Sequence, residues 1–264
     1  MTILDNPILL PFLRSFVGAL IGKDNIKLYD TVNWTETSDR FAAINFKYPE
    51  YYCSRDFHGI KGGYLNAIAP VTYDAVTRFA APPSEIKLRQ QSIDLIQGQP
   101  RVILDLGCGT GSSTLMLKQA FPQSQVTGLD ISPYMLTMAE HKGTKANLVI
   151  NWQQGLAETT NFNNCSFNLI SIAFLFHETP VEISRAILTE CQRLLKPGGQ
   201  IIILDGNQKR LRRTNWLIKL FREPYSKVYA AGNINLWLES ANFVAIETKA
   251  VGWISQLTTA FKKS

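Results

Sequence analysis

Residues 102–111 read Val-Ile-Leu-Asp-Leu-Gly-Cys-Gly-Thr-Gly, and no other stretch of the 264-residue chain limits the fold as sharply. Val102, Ile103, Leu104 and Leu106 form a short apolar run, the pattern of a strand buried on both faces. Gly107, Gly109 and Gly111 alternate through the turn that follows, and Ser112, Ser113 and Thr114 then open a helix. Glycine at every second position lets the backbone take positive φ and lets a ligand approach where a Cβ would stand. Such a turn presents N–H groups at a helix N-terminus, which suits a carboxylate. Asp105 adds an acceptor for an amino group. Donors for a carboxylate beside an acceptor for an ammonium describe a site for an amino-acid-like cofactor.

From residue 100 onward the pattern repeats. Apolar strands are expected at 102–106, 126–130, 148–152, 167–175 and 200–205, with helices at 113–120, 133–139 and 181–195 between them. Residues 243–248 and 253–259 alternate like an antiparallel pair of strands. This order predicts an α/β fold, a doubly wound sheet, mostly parallel and covered on both faces. Residues 1–99 do not fit the repeat and read as a largely helical cap. The core covers 100–264, with an insert over 206–234.

Asp130 closes the second strand, nineteen residues past Gly111. An acid there can accept both hydroxyls of a ribose; the competing reading is a helix N-cap, since Ile131-Ser132-Pro133 follows. A dinucleotide site fits poorly. Ser112 stands where its third glycine belongs, and Asp105 would repel a pyrophosphate.

Three motifs together resemble the class I S-adenosylmethionine-dependent methyltransferases. They are Asp105-Leu106-Gly107-Cys108-Gly109-Thr110-Gly111, Gly128-Leu129-Asp130-Ile131-Ser132, and Leu194-Leu195-Lys196-Pro197-Gly198-Gly199. The likeness covers roughly residues 100–205 and points to the small-molecule, ubiquinone/menaquinone-type branch. It implies a Rossmann-like sheet of seven strands and S-adenosyl-L-methionine as cofactor. It also implies that the Gly107, Cys108, Gly109 and Gly111 backbone meets the methionyl part. Asp105 is then expected on its amino group, Asp130 on the ribose, Ile131 against the adenine, and Phe174 among the contacts. The family often has Gly-Asp-Ala-Glu after the third strand, with the acid on the adenine amino group. Here the run is Gly155-Leu156-Ala157-Glu158, and Leu156 offers no acceptor. The adenine is left to backbone near Ala157 and to apolar packing, with Glu158 read as solvated.

The fourth strand ends in Phe174-Leu175-Phe176-His177-Glu178. In a doubly wound sheet ligands gather at the carboxyl ends of the strands. His177 and Glu178 are therefore candidate catalytic residues, His177 as a base for an acceptor hydroxyl. A loop-orienting His177 and a helix-capping Glu178 are the plainer reading. The chain lacks the Asn/Asp-Pro-Pro-Tyr/Phe run at this position that many methylators of nucleic-acid and protein amino groups carry.

Nine aromatic residues fall between Tyr29 and Tyr64, about twice the density of the chain as a whole. Either they form the cap's own core or they fold over an apolar acceptor. Tyr64, Tyr73 and His58 are the candidate substrate contacts. The insert interleaves Lys209, Arg210, Arg212, Arg213, Lys219 and Arg222 with Trp216, Leu217, Ile218, Leu220 and Phe221. That pattern reads as a solvated basic helix or as a contact with an anionic membrane surface. The net charge of +6 does not by itself imply nucleic acid, no RNA module accompanies it, and no nucleic-acid partner is expected. The apolar run over residues 8–21, interrupted by Pro11 and Arg14, is too short and broken to span a bilayer. Its helical stripe at 12–21 reads either as a helix packed on the protein itself or as a membrane-surface helix. Four scattered cysteines and three histidines give neither a disulfide framework nor a metal site, and a cytoplasmic location is expected.

The expected function is transfer of a methyl group to a small, apolar or aromatic acceptor. A lipid cyclopropane synthase and a non-catalytic cofactor-binding protein docking through the insert are the alternatives.

Overall fold

A computed structural model describes residues 22–43, 46–54, 56–57, 60, 62–80, 84–214 and 224–264. The stripe at 12–21, His58 and the apolar-basic run 215–223 lie outside the described residues.

Seven strands form one sheet: β1 (Val102–Leu106), β2 (Gln125–Asp130), β3 (Asn151–Gln154), β4 (Phe167–Ala173), β5 (Leu195–Gly206), β6 (Phe243–Val251) and β7 (Ser255–Lys262). Their order is β3-β2-β1-β4-β5-β7-β6. The first five run parallel, and β7 is antiparallel to both β5 and β6. The expected doubly wound sheet with its antiparallel C-terminal pair is therefore the observed one. The order reverses between β1 and β4, and this opens a crevice at the carboxyl ends of the strands.

Side-chain alternation along the strands divides the core in two. On one face Leu104, Ile170, Ile172 and Ile201 pack with Ile187, Leu188 and Cys191 of the helix Val181–Leu194. On the other, Ile103, Val126, Leu169 and Ile202 meet Leu88 of the helix Glu85–Ile93 and Leu117 of the helix Ser112–Ala120. Consecutive residues Ile103 and Leu104 thus serve opposite layers, and both are fully buried.

Some boundaries differ from expectation. The helix after β2 runs Pro133–Lys145, a turn and a half beyond 139. Leu148 lies outside β3: its N–H bonds back to Gly143 O at 3.0 Å, and Asn147 has φ 54. The chain turns there before pairing, so Asn151 is the first residue of β3, opposite Thr127. The helix before β5 ends at Leu194, and Leu195 already pairs with Phe167.

Ahead of the sheet lie helices Gly22–Thr31, Trp34–Asp39, Glu50–Cys53, Ile68–Ala80 and Glu85–Ile93. Within 206–234 the described helices are Gln208–Leu211 and Ser226–Ala231. Two of its cations hold backbone rather than standing free. Arg210 donates to the carbonyls of Gly252 and Trp253 at 2.9 and 2.6 Å, and Arg212 to Ala230 O at 3.1 Å. Among the described residues no helix is long and apolar enough to cross a membrane.

Candidate functional site

The glycine turn is held against β2. The N–H groups of Gly107 and Cys108 both donate to Leu129 O, at 2.8 and 3.0 Å. The three glycines differ in what they permit. Gly109 has φ 53, and a Cβ there would meet nothing within 4 Å, so this position faces open space. Gly111 has φ 78, and a Cβ there would stand 2.8 Å from the Trp152 ring. Gly111 therefore serves close packing, while Gly109 leaves room for a ligand.

Asp130 is nine-tenths buried at the end of β2. Its Oδ2 accepts from Gly109 N and its Oδ1 from Ser132 N, each at 2.8 Å. The helix N-cap is Ser132, whose hydroxyl accepts from Met135 N at 3.2 Å. Asp130 is thus left to face the crevice with one further lone pair on each oxygen. Burial pushes its carboxyl up to about 6, against the two N–H bonds that favour the charged form.

A partly enclosed pocket opens here. Gly107, Gly109, Asp130, Ile131, Ala157 and Phe174 line it, as do Glu178, Tyr64 and Tyr73. Asp105, Cys108, Gly111, Leu156 and His177 are not among the lining residues. Asp105 is fully buried behind the turn. Thr114 Oγ1 donates to its Oδ2 at 2.5 Å, and burial raises its carboxyl above the usual range. Cys108 is buried with its sulfur toward Gly128, where a Cβ would come within 3.0 Å of it. Leu156 pairs with Thr159 in a short antiparallel bridge.

At the β4 end, Phe174 is held at φ 60, a left-handed conformation that an aromatic residue adopts only when its surroundings impose it. Its N–H donates to Leu204 O at 2.7 Å, and the Arg89 guanidinium lies 5.3 Å from its ring centre. Arg89 is itself buried, paired with Glu85 and bonded to the Ser113 hydroxyl. Glu178 accepts from the Tyr64 hydroxyl at 2.5 Å. His177 stands behind Glu178. Its Nδ1 is hydrogen-bonded to Asp205 Oδ1 at 2.6 Å, and its Nε2 lies 3.9 Å from Glu178 Oε1. With Nδ1 engaged, Nε2 is the nitrogen turned toward the site.

The wall opposite the sheet is aromatic. Phe57 and Tyr64 stack at 5.3 Å, and Tyr73 meets Tyr64 edge-on at 5.8 Å. Tyr52 packs on both Phe57 and Tyr64. Its hydroxyl is buried with no hydrogen-bond partner among the described residues, and burial pushes it well above its usual pKa. The wall is tied down where Ser132 Oγ donates to Tyr64 O at 2.6 Å. The glycine turn has its own anchor: Asp74, on the helix Ile68–Ala80, accepts from Thr110 Oγ1 and pairs with Lys142 Nζ at 2.7 Å.

Residues 103–199 match a family model described as a methyltransferase domain. The demethylmenaquinone methyltransferase of Listeria monocytogenes serotype 4a is 32% identical over 193 residues, 72% of this chain and 76% of that protein. The chain belongs to the class I S-adenosylmethionine-dependent methyltransferases. A second relative, the demethylmenaquinone methyltransferase of Thermus thermophilus, is 34% identical over 142 residues. That match covers 53% of this chain and 63% of the relative, so the chain spans less than two thirds of that protein. Human N-acetylserotonin methyltransferase, solved with S-adenosylmethionine, shares the fold at a TM-score of 0.57 and 17% identity. The match covers 94% of this chain and 67% of that one.

Among the described residues the pocket has open space over Gly109, Asp130 at its edge, and two buried polar atoms without hydrogen-bond partners, Tyr52 Oη and Glu158 Oε2. Several lining residues escape sequence reasoning. Tyr51, Tyr52 and Phe57 lie within the aromatic-rich segment, but density alone does not say which of nine rings reach the site. Gln154 is buried and holds Ile131 O at 3.0 Å while accepting from Ala43 N at 2.7 Å. Glu158 is not solvated: it lines the pocket and accepts from the Tyr51 hydroxyl at 2.8 Å.

Proposed function

We propose that this methyltransferase transfers a methyl group from S-adenosylmethionine to a small planar aromatic acceptor bearing oxygen, of which a reduced quinone is the best candidate. One observation carries the reading. A single pocket joins the open glycine turn and Asp130 to a wall of Tyr52, Phe57, Tyr64 and Tyr73. The names of the Listeria and Thermus relatives support a quinone-type acceptor.

When bound, S-adenosylmethionine supplies an electrophilic methyl on a sulfonium. The chain's own residues then align and dry the reacting pair. Asp130 accepts the ribose hydroxyls, the Gly107–Gly109 backbone approaches the methionyl part, and Ile131 and Ala157 pack the adenine. Stacked and edge-on rings hold a flat acceptor in a fixed plane. The Tyr52 hydroxyl donates to an acceptor oxygen, which removes the cost of a buried unpaired donor. Glu178 takes the proton from an acceptor hydroxyl, and His177, fixed by Asp205, positions that carboxylate. Loss of that proton would leave the acceptor the electron pair for a bond to the methyl carbon. That bond forms as the methyl–sulfur bond breaks and its electron pair returns to sulfur, with S-adenosylhomocysteine as the leaving group.

In this reading the enzyme works in the cytoplasm. Docking at a membrane surface rests on the basic insert, whose residues 215–223 lie outside the described structure. The test is incubation of the full chain with methyl-labelled S-adenosylmethionine and a short-tailed demethylated naphthohydroquinone, read by mass spectrometry. A labelled, singly methylated product is expected. Binding of S-adenosylhomocysteine without methylation of this or any benzohydroquinone would reject the acceptor class.

A further inference from the structure

The carboxylate of Glu158 has one oxygen with a partner and one without. The Tyr51 hydroxyl donates to Oε1 at 2.8 Å, whereas Oε2 is buried with no hydrogen-bond partner among the described residues. Glu158 lines the same pocket as Asp130. A buried acceptor left unmatched carries a desolvation cost that a ligand donor can remove. An ionised carboxylate only accepts, so the matching ligand group is an N–H or O–H.

The sheet order says which part of a ligand that group belongs to. β3 is the edge strand beside β2, with Gln154 opposite Asp130. Glu158 follows β3 directly, so it stands past Asp130 on the side away from β4. Phe174 and Glu178 follow β4, at the other end of the pocket. A cofactor whose ribose meets Asp130 and whose sulfonium lies toward β4 has only its base left for the β3 end. Ile131 and Ala157 supply apolar walls there. Leu156 brings no acceptor, and its segment is fixed by the bridge to Thr159.

We infer that Glu158, through its unpaired Oε2, accepts a hydrogen bond from the exocyclic amino group of the cofactor's adenine and so selects an aminopurine over a purine lacking that group. Tyr51 acts as a positioning residue, because its bond to Oε1 sets the direction of Oε2. The assignment rests on the S-adenosylmethionine reading above, and it replaces the apolar adenine contact expected from Leu156 with a charged acceptor two residues later.

Calorimetry on the full chain tests it with two probes: S-adenosylhomocysteine, and its analogue lacking only the 6-amino group. The ring nitrogens are unchanged between them, so the comparison isolates the amino group. The native protein is expected to favour S-adenosylhomocysteine by about tenfold or more, the scale of a hydrogen bond to a charged acceptor. Glu158→Met is expected to weaken S-adenosylhomocysteine by that factor, leave the analogue nearly unchanged, and bring the ratio close to one. Glu158→Gln, which keeps the shape and the Tyr51 bond, is expected to lower the ratio severalfold. A folded Glu158→Met protein that keeps the full preference overturns the assignment. So does a native protein that binds both probes equally, whether or not the variants fold. A native protein that binds neither probe overturns the cofactor reading itself, an outcome distinct from both.

Discussion

Asp130 shows how one side chain couples the site to the fold. It is a buried carboxyl that already accepts two backbone N–H bonds, yet burial wins and holds it up to about 6. The unfolded chain has this group near its usual value of about 3.9. Between those two values the folded state binds the extra proton, so stability falls as pH rises from about 4 through about 6. With Asp130 on the ribose as proposed, cofactor affinity should run the other way, because ribose hydroxyls donate to the ionised form. Calorimetric affinity for S-adenosylhomocysteine is expected to rise as pH passes upward through about 6, and the rise should vanish in Asp130→Asn. Asp130→Ala should weaken that binding by ~1.5–3 kcal/mol, the range for hydrogen bonds to a charged group; unchanged affinity would remove Asp130 from the site. Glu178 belongs to the other end of the pocket. Glu178→Gln is expected to lower kcat ~10²-fold with cofactor affinity nearly intact, as for a lost general base. His177→Ala should shift the pH–rate profile, since it withdraws the group that faces the carboxylate. Full turnover in both variants would mean that alignment alone suffices.

At the scale of elements, the glycine turn is shaped as much by helices as by its own sequence. Asp74 reaches it from the helix Ile68–Ala80, and Lys142 reaches it from the helix Pro133–Lys145 with bonds to Thr110 and Ser112. The ion pair is about one-quarter exposed on each side, so its Coulombic worth is modest, on the order of 1 kcal/mol. Its geometric worth is larger, because three elements share it. Asp74→Ala is therefore expected to lower the melting temperature by a few degrees and to weaken cofactor binding measurably. Thermal unfolding with and without S-adenosylhomocysteine separates the two effects. The strand–turn–helix unit was legible in the sequence because hydrophobic runs and alternating glycines are local signals. Asp130 was marked by its spacing past the glycines, whereas Ile131, Ala157 and Phe174 came from the family resemblance, and all four line the pocket. The Asp74–Thr110–Lys142 anchor, the buried Arg89 beneath Phe174 and the Tyr51–Glu158 bond were not legible. Each joins residues far apart in the chain, and nothing in a single sequence marks which distant partners will meet. Leu148 shows the same limit in a strand boundary. Its apolar character suits β3, but the left-handed turn at Asn147 delays pairing until Asn151.

Across the whole molecule, the pocket is shared by two stretches of chain with different duties. The strands from residue 102 onward bring Gly109, Asp130 and Glu178 to one edge of the sheet, while Tyr52, Phe57, Tyr64 and Tyr73 close over them from residues that precede it. Tyr64 is the joint between the two. Its ring stacks on Phe57, its hydroxyl donates to Glu178, and its carbonyl accepts from Ser132 at the start of the helix after β2. These bonds argue for a fixed wall that sorts acceptors by shape. Two substitutions take the duties apart. Tyr64→Phe keeps the ring and the carbonyl but removes the hydrogen bond that orients Glu178, so kcat should fall while the acceptor KM stays close to that of the native enzyme. Tyr64→Ala removes the stacking surface as well, so the acceptor KM should rise by about tenfold or more, the loss of a buried aromatic contact. The cofactor KM should change far less, because Gly109 and Asp130 lie on the sheet side. Core truncation of an aromatic costs ~3–5 kcal/mol of stability, so the kinetics are to be read well below the melting temperature of the variant. Equal rises in the two KM values for Tyr64→Ala would show that the aromatic wall supports the fold as a whole, and the acceptor site would have to be sought elsewhere in the crevice.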